Sequence, residues 1–277
     1  MGGYAAVRFA DAVGASHVLA ISPQYSLDPK KTPFETRWQQ DARRINWGDG
    51  HIRSSAKTVI VYDPMMHSDR RHLDLIKSDI PVSEIAIHFA GHGTLPILNE
   101  INELRSLLSQ LLTGIDVDAA NVRIKEKKKT SPSYLAILAE RIYDRHPQTA
   151  LALAERAHQI SADNYTAIEV LTQILKRNGQ PDRAAHILQG ASLFLGRTPV
   201  LLHNLSCALH EAGRTSKAIE IAAETLTLAP SVANFQLWMA RLLIHTGRNS
   251  EAIPFAAEGY RLLPNADARA VLEVARS

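Results

Sequence analysis

The chain has 277 residues, enough for two domains that each bury a core, with 31 Lys and Arg against 28 Asp and Glu and a net charge of +3. So small an excess, with no basic face, argues against a nucleic-acid partner, and no apolar run approaches the roughly 18 residues needed to span a bilayer. The start, Met1-Gly2-Gly3-Tyr4, has neither a secretory leader's basic and apolar segments nor, with Ala6, a myristoylation signal. Cys207 is the single cysteine, so no internal disulfide forms and a cytoplasmic location is expected.

The N-terminal third alternates strand and helix signals, which indicates a parallel sheet. After Met1-Gly2-Gly3-Tyr4-Ala5-Ala6 comes a helical stretch with Ala6, Val7, Phe9, Ala10 and Val13 on its apolar face. His17 to Pro23 reads as a buried strand, Thr58 to Tyr62 as the next and Glu84 to Phe89 as the last. Helices are expected at about Phe34 to Ile45, Asp69 to Ile76 and Leu95 to Leu112.

Met-Gly-Gly-Tyr-Ala-Ala before a helix resembles the segment that follows the nucleophile serine of α/β-hydrolases, where small residues let helix and sheet approach. The resemblance covers the C-terminal part of that fold and implies an α/β partial parallel sheet over residues 1–115. In that family an acid follows the middle strand and a histidine the last one. Asp69 takes the acid's place, with Asp63 the competing choice, and His92 in Gly91-His92-Gly93 takes the base's place. Met1 would supply an oxyanion-hole N–H. The nucleophile would fall before Met1; Ser22 and Ser68 do not stand at a strand-to-helix elbow. The chain as given is therefore expected to be inactive. Were the upstream half supplied, a small ester or acyl substrate would be implied. Trp38 and Trp47 hint at an apolar pocket wall. No cofactor is expected. No metal is expected either: His88 on a strand and His92 in a loop need not share a face, and His67 and His72 have no third ligand at a recognised spacing.

Residues 116–132, with Lys125-Glu126-Lys127-Lys128-Lys129, show no apolar periodicity and read as an exposed charged linker.

From residue 133 to the end one period governs. Gly179, Gly213 and Gly247 recur every 34 residues, and Ala184, Ala218 and Ala252 follow each by five; Ala150 extends the series and Pro230 pairs with Pro264. Each glycine lies in a turn between apolar-periodic segments, where a left-handed residue ends a helix. Each alanine stands where two helices come close, and each proline closes a pair. This resembles the tetratricopeptide repeat family and implies an all-α helical solenoid. The copies ending at Pro230 and Pro264 keep the pattern best. The one opening near Tyr165 has Gly196 where proline is usual, and the first, from about Ser131, has Arg145 in place of the turn glycine. Asp267 to Ser277, with Val271, Leu272 and Val274, reads as a capping helix.

In that family the first helices of the pairs line a groove that accepts a peptide. By register the lining would be Glu169, Gln173 and Lys176, then His203, Asn204, Cys207 and His210, then Asn234, Leu237, Arg241 and His245. The plain alternative is a set of solvated helix faces. Asn204 matches a position that binds ligand backbone, but Val170 and Trp238 replace it in the adjoining copies. Cys207 reads as a small apolar filler rather than a reactive thiol. A protein or peptide partner follows.

Overall fold

The protein is described by a computed structural model covering all residues except 1, 39–41, 43, 46 and 49. It divides into two compact units, Met1–Asp144 and Arg145–Ser277.

In the first unit α1 (Gly2–Arg8) leads to β1 (His17–Ile21), which pairs in parallel with β2 (Lys57–Tyr62), and β2 in turn pairs in parallel with β3 (Val82–Ala86). The strand order is β1-β2-β3. Ile60, Val61 and Ile85 are fully buried, as expected of a parallel sheet covered on its faces. A Cβ on Gly3 would stand 2.9 Å from Pro23 Cα and 3.0 Å from the Ile21 carbonyl, so α1 meets the end of β1 only with glycine there.

Helix α2 (His67–Asp79) follows β2, and α3 (Thr94–Glu100) and α4 (Glu103–Gln110) follow β3. The single helix expected from Leu95 to Leu112 is thus two, divided at Asn102, whose φ is +59°. Residues 34–38 are turn rather than helix, and the remainder of that expected helix lies partly outside the described residues. β3 ends at Ala86, short of Phe89, because Phe89 turns left-handed (φ +64°) and gives its N–H to a side chain.

The expected linker is a helix. α5 (Val117–Lys127) starts at Asp116, which caps Ala119 N–H at 3.0 Å, and buries Ala120 and Ile124. Asn121 accepts the Ala86 N–H (2.9 Å) and donates to the Glu84 carbonyl (3.2 Å), so its amide satisfies β3's outer edge. Two apolar residues and an asparagine are too few for a visible period, and the lysine run lies beyond them. Lys127 and Arg123 reach the buried Glu103 at 2.7 and 3.3 Å. Helix α6 (Pro132–Ile142), expected to open the repeat array, belongs to the first unit: Ser131 and Ser133 both donate to Glu100, each at 2.5 Å, and Tyr134, Leu135, Ala136 and Ala139 are buried.

The second unit is a tetratricopeptide-like helical array. First helices α8 (Tyr165–Arg177), α10 (Pro199–Glu211) and α12 (Ala233–His245) have 13 residues each and begin 34 apart. Helices α7 (Pro147–Ile160), α9 (Pro181–Phe194), α11 (Thr215–Leu228) and α13 (Asn249–Leu262) have 14 each at the same interval. At each turn the glycine is left-handed, with φ of +69°, +77° and +74°. Gln180, Arg214 and Arg248 each send an N–H back five residues, to the carbonyls of Leu175, Leu209 and Leu243, closing the helix end in a Schellman turn. Ala150, Ala184, Ala218 and Ala252 are fully buried. Gly196, in the proline's usual place, is left-handed at +79° and ends α9 by a different means. Helix α14 (Ala266–Arg276) closes the array on Val271, Leu272 and Ala275, with Val274 half exposed.

Leu237 is core rather than groove: it is 3% exposed and sits over Gly259, where a Cβ would come within 2.6 Å of Leu237 Cδ2. We expect Gly259→Val to lower stability by about 1–3 kcal/mol through overpacking. Urea denaturation of the two proteins measures this, and an unchanged midpoint would show that α12 and α13 do not meet there.

Candidate functional site

In a parallel sheet the loops at the strands' carboxyl ends are free to carry chemistry. Asp69 lies in the first turn of α2, where the helix amino end favours a carboxylate, and is 2% exposed. His92 hangs from the turn after β3, built on left-handed Phe89 and Gly91. Its Nδ1 is 2.9 Å from Asp69 Oδ2 and 3.0 Å from Oδ1, and its side chain is 42% exposed. The residues chosen from the sequence therefore meet.

Asp63, the competing acid, is occupied elsewhere. Wholly buried, it accepts N–H bonds from Met65 (2.9 Å), Phe89 (3.1 Å) and Gly91 (2.9 Å), and Arg141 of α6 pairs with it at 3.2 Å. It shapes the turn that delivers His92 without touching the imidazole. Ser22, left-handed at φ +43°, donates to the His92 carbonyl at 2.8 Å, which commits its hydroxyl to the same turn. Ser68 is the second residue of α2. Met1 lies outside the described residues. Trp38 is half exposed, and Trp47 donates to the Ala42 carbonyl at 2.7 Å. No group of three metal-ligating side chains gathers among the described residues.

A second layer escaped the sequence reading. Arg37 reaches Glu35 Oε2 at 2.5 Å through Nη2 and Oε1 at 2.9 Å through Nε, and Asp69 Oδ1 at 3.4 Å. Glu35 also meets His72 Nε2 at 3.0 Å and accepts from Gln24 at 3.2 Å. His72 Nδ1 accepts the Tyr25 N–H at 3.1 Å, so the proton of this neutral ring is on Nε2, facing Glu35. Burial pushes Glu35 up, but the bonds from Arg37 and His72 prevail and hold it well below the usual carboxylate range. Burial keeps His72 below the ordinary histidine value despite Glu35. Glu35 and Arg37 fall where a helix is expected and the chain instead makes turns, and His72 lies on α2, so no local spacing joins them.

On the array, His203 lies tilted against Phe235 (centroids 5.0 Å apart, planes at 38°) and stands edge-on to Trp238 (5.9 Å). His210 stands edge-on to Trp238 (5.6 Å) and His245 (4.7 Å). Trp238 donates to Ser206 at 2.8 Å, and Ser206 donates to the Ala218 carbonyl at 2.7 Å. Burial lowers His203 and His210; Lys176 adds to the first and His245 to the second. Lys176 pairs with Glu211 at 3.2 Å, and Arg241 with Asp267 at 2.5 Å. Asn204 and Glu169 are half-buried, Gln173 and Asn234 exposed. Trp238, noticed only as a gap in an asparagine ladder, is the hub of the cluster. Cys207 Sγ lies 3.8 Å from His203 Nε2, and burial pushes its thiol up to about 11.

No family model matches the sequence, and no curated protein matches it. Among solved structures, YrrB, a TPR protein with an unusual peptide-binding site, is 16% identical over 66% of this chain and 92% of its own, with a TM-score of 0.47. TTC0263, a thermophilic TPR protein of Thermus thermophilus, is 18% identical over 65% and 97%, at 0.47. The APC/C hetero-tetramer Cut9–Hcn1 gives 16% over 68% and 38%, at 0.49. At these scores the likeness is distant. No described helix is long and apolar enough to cross a membrane.

Two outcomes follow from these surroundings. With a pKa near 11, Cys207 is ionised in about one molecule in a thousand at pH 8, against about a quarter for a free thiol. Labelling by a disulfide reagent is expected to be about a hundredfold slower in native protein than in urea; equal rates would contradict the burial. Asp63→Ala strands Arg141 and three N–H groups, a loss of about 3 kcal/mol or more. Faster hydrogen exchange at Phe89 and Gly91 is expected, and unchanged exchange there would refute Asp63's role.

Proposed function

We propose that the protein is an interaction scaffold whose repeat array seats a peptide or protein segment on the first-helix face formed by Glu169, Gln173, Lys176, His203, Asn204, Cys207, His210, Asn234, Arg241 and His245. The observation that carries this reading is the Trp238 cluster, in which half-buried Trp238, His203 and His210 lie beside buried Phe235 and exposed His245. Rigid aromatic groups are the usual anchors of protein interfaces, because they give large contact area at little entropic cost. The nearby cations are already neutralised by carboxylates, so the face suits a partner with an aromatic or apolar anchor. A cytoplasmic setting accords with a lone free thiol. With a partner trapped by cross-linking and its affinity measured by calorimetry, Asn204→Ala with Trp238→Ala should weaken binding about tenfold or more. Lys217→Ala with Glu220→Ala, on the exposed side of α11, should change it less than twofold. Equal losses would move the surface elsewhere.

A second reading has its own support. The Asp69–His92 contact, the close packing at Gly3 and the parallel strands fit the carboxyl-terminal portion of an α/β-hydrolase acting on a small ester or acyl substrate, with Asp69 as acid partner, His92 as base and Met1 as an oxyanion donor. Among the described residues, Ser22 gives its hydroxyl to the His92 carbonyl and Ser68 lies in the first turn of α2, neither at a strand-to-helix elbow. No fluorophosphonate labelling is expected. Stoichiometric labelling abolished by His92→Ala would show that a serine of this chain has become the nucleophile.

A further inference from the structure

Asp69 and Glu35 are 2% and 3% exposed, and both abut the guanidinium of Arg37. Two carboxylates withdrawn from water repel, and one takes up a proton unless a cation stands between them. Arg37 is that cation. Its fork engages both Glu35 oxygens and reaches on to Asp69 Oδ1 at 3.4 Å, while Asp69 Oδ2 faces His92 Nδ1 at 2.9 Å. At the far end Glu35 receives Nε2–H of His72. The five side chains form a chain from one imidazole to another, with Arg37 at its centre.

From this geometry we infer that Arg37 is a positioning residue, which keeps Asp69 an acceptor and thereby fixes His92 as the Nδ1–H tautomer with Nε2 free to take a proton. An ionised carboxylate can only accept, so the proton between Asp69 and His92 must sit on Nδ1. In water imidazole prefers the other tautomer, so the selection is made by the protein. With Arg37 absent, Glu35 keeps its bonds from His72 and Gln24 and Asp69 its helix amino end, but no cation stands between the two carboxylates. A protonated Asp69 would instead donate to Nδ1 and place the ring proton on Nε2. The inference deepens the hydrolase-like reading, on which it rests only for what His92 acts upon.

The test uses the full chain with 15N-labelled histidine at pH 7.5, the His92 signals being assigned through H92Q. In the native protein His92 is expected with a protonated Nδ1 and a bare Nε2. In R37M, and in R37Q should R37M not fold, the ring is expected to move to the Nε2–H form or to the doubly protonated imidazolium, with far-ultraviolet dichroism unchanged. R37K keeps the charge and should restore the native form in most molecules. Native tautomer persisting in a folded R37M or R37Q overturns the inference, as does an R37K protein displaced as far as R37Q, which would assign the effect to packing. A native His92 found in the Nε2–H form is a separate outcome: it defeats the Asp69–His92 pair itself and the hydrolase-like reading with it.

Discussion

At Ala150, Ala184, Ala218 and Ala252 a helix is buried down to its smallest side chain, and the spacing of these four residues sets the spacing of everything in the second unit. A larger group at any of them would push paired helices apart, and the Schellman turns at Gly179, Gly213 and Gly247 would no longer bring the second helix back over the first. Because that constraint repeats every 34 residues, successive first helices present equivalent faces. Trp238 can then reach Ser206 one repeat earlier, and His245 can reach His210. The face proposed for partner binding is a consequence of the methyl groups behind it.

The first unit depends on buried charge in place of repetition. Asp63 gathers three N–H groups and Arg141, and so folds the turn that carries His92. Arg37 holds two carboxylates that would otherwise repel. Breaking such pairs leaves charge stranded in a poor solvent, so their loss costs more than their presence stabilises. Both arrangements bind segments far apart in sequence, and one partner of each lies in a loop or a short helix.

That contrast explains what was legible. The repeats were readable because glycine, alanine and proline each answer a local geometric demand, and each recurs. The first two strands are near-continuous apolar runs and the third follows from the alternation of strand and helix signals; their parallel register places Asp69 and His92 at the same end of the sheet. Illegible were features whose cause is tertiary. Leu237 falls on the groove register, but Gly259, 22 positions on, leaves room for it in the core. The 117–127 segment looked like linker because its structural work falls to Asn121, a polar residue completing a strand edge. Arg37 and Glu35 lie where a helix is expected and turns are found, so nothing local ties them to Asp69 and His72.

A stack of interchangeable 34-residue pairs, each held by its neighbours, should tolerate loss of a whole pair but not of half of one. Deleting residues 199–232 removes one whole pair, α10 with α11, and lets α9 meet α12 in the register it had with α10. Deleting residues 199–214 removes α10 alone and sets α9 against α11, two second helices with no first helix between them. Urea denaturation followed by helical circular dichroism compares the two. A cooperative transition at a lowered midpoint is expected for the whole-pair deletion, and loss of cooperativity for the single-helix deletion. Identical behaviour of the two proteins would contradict such a stack.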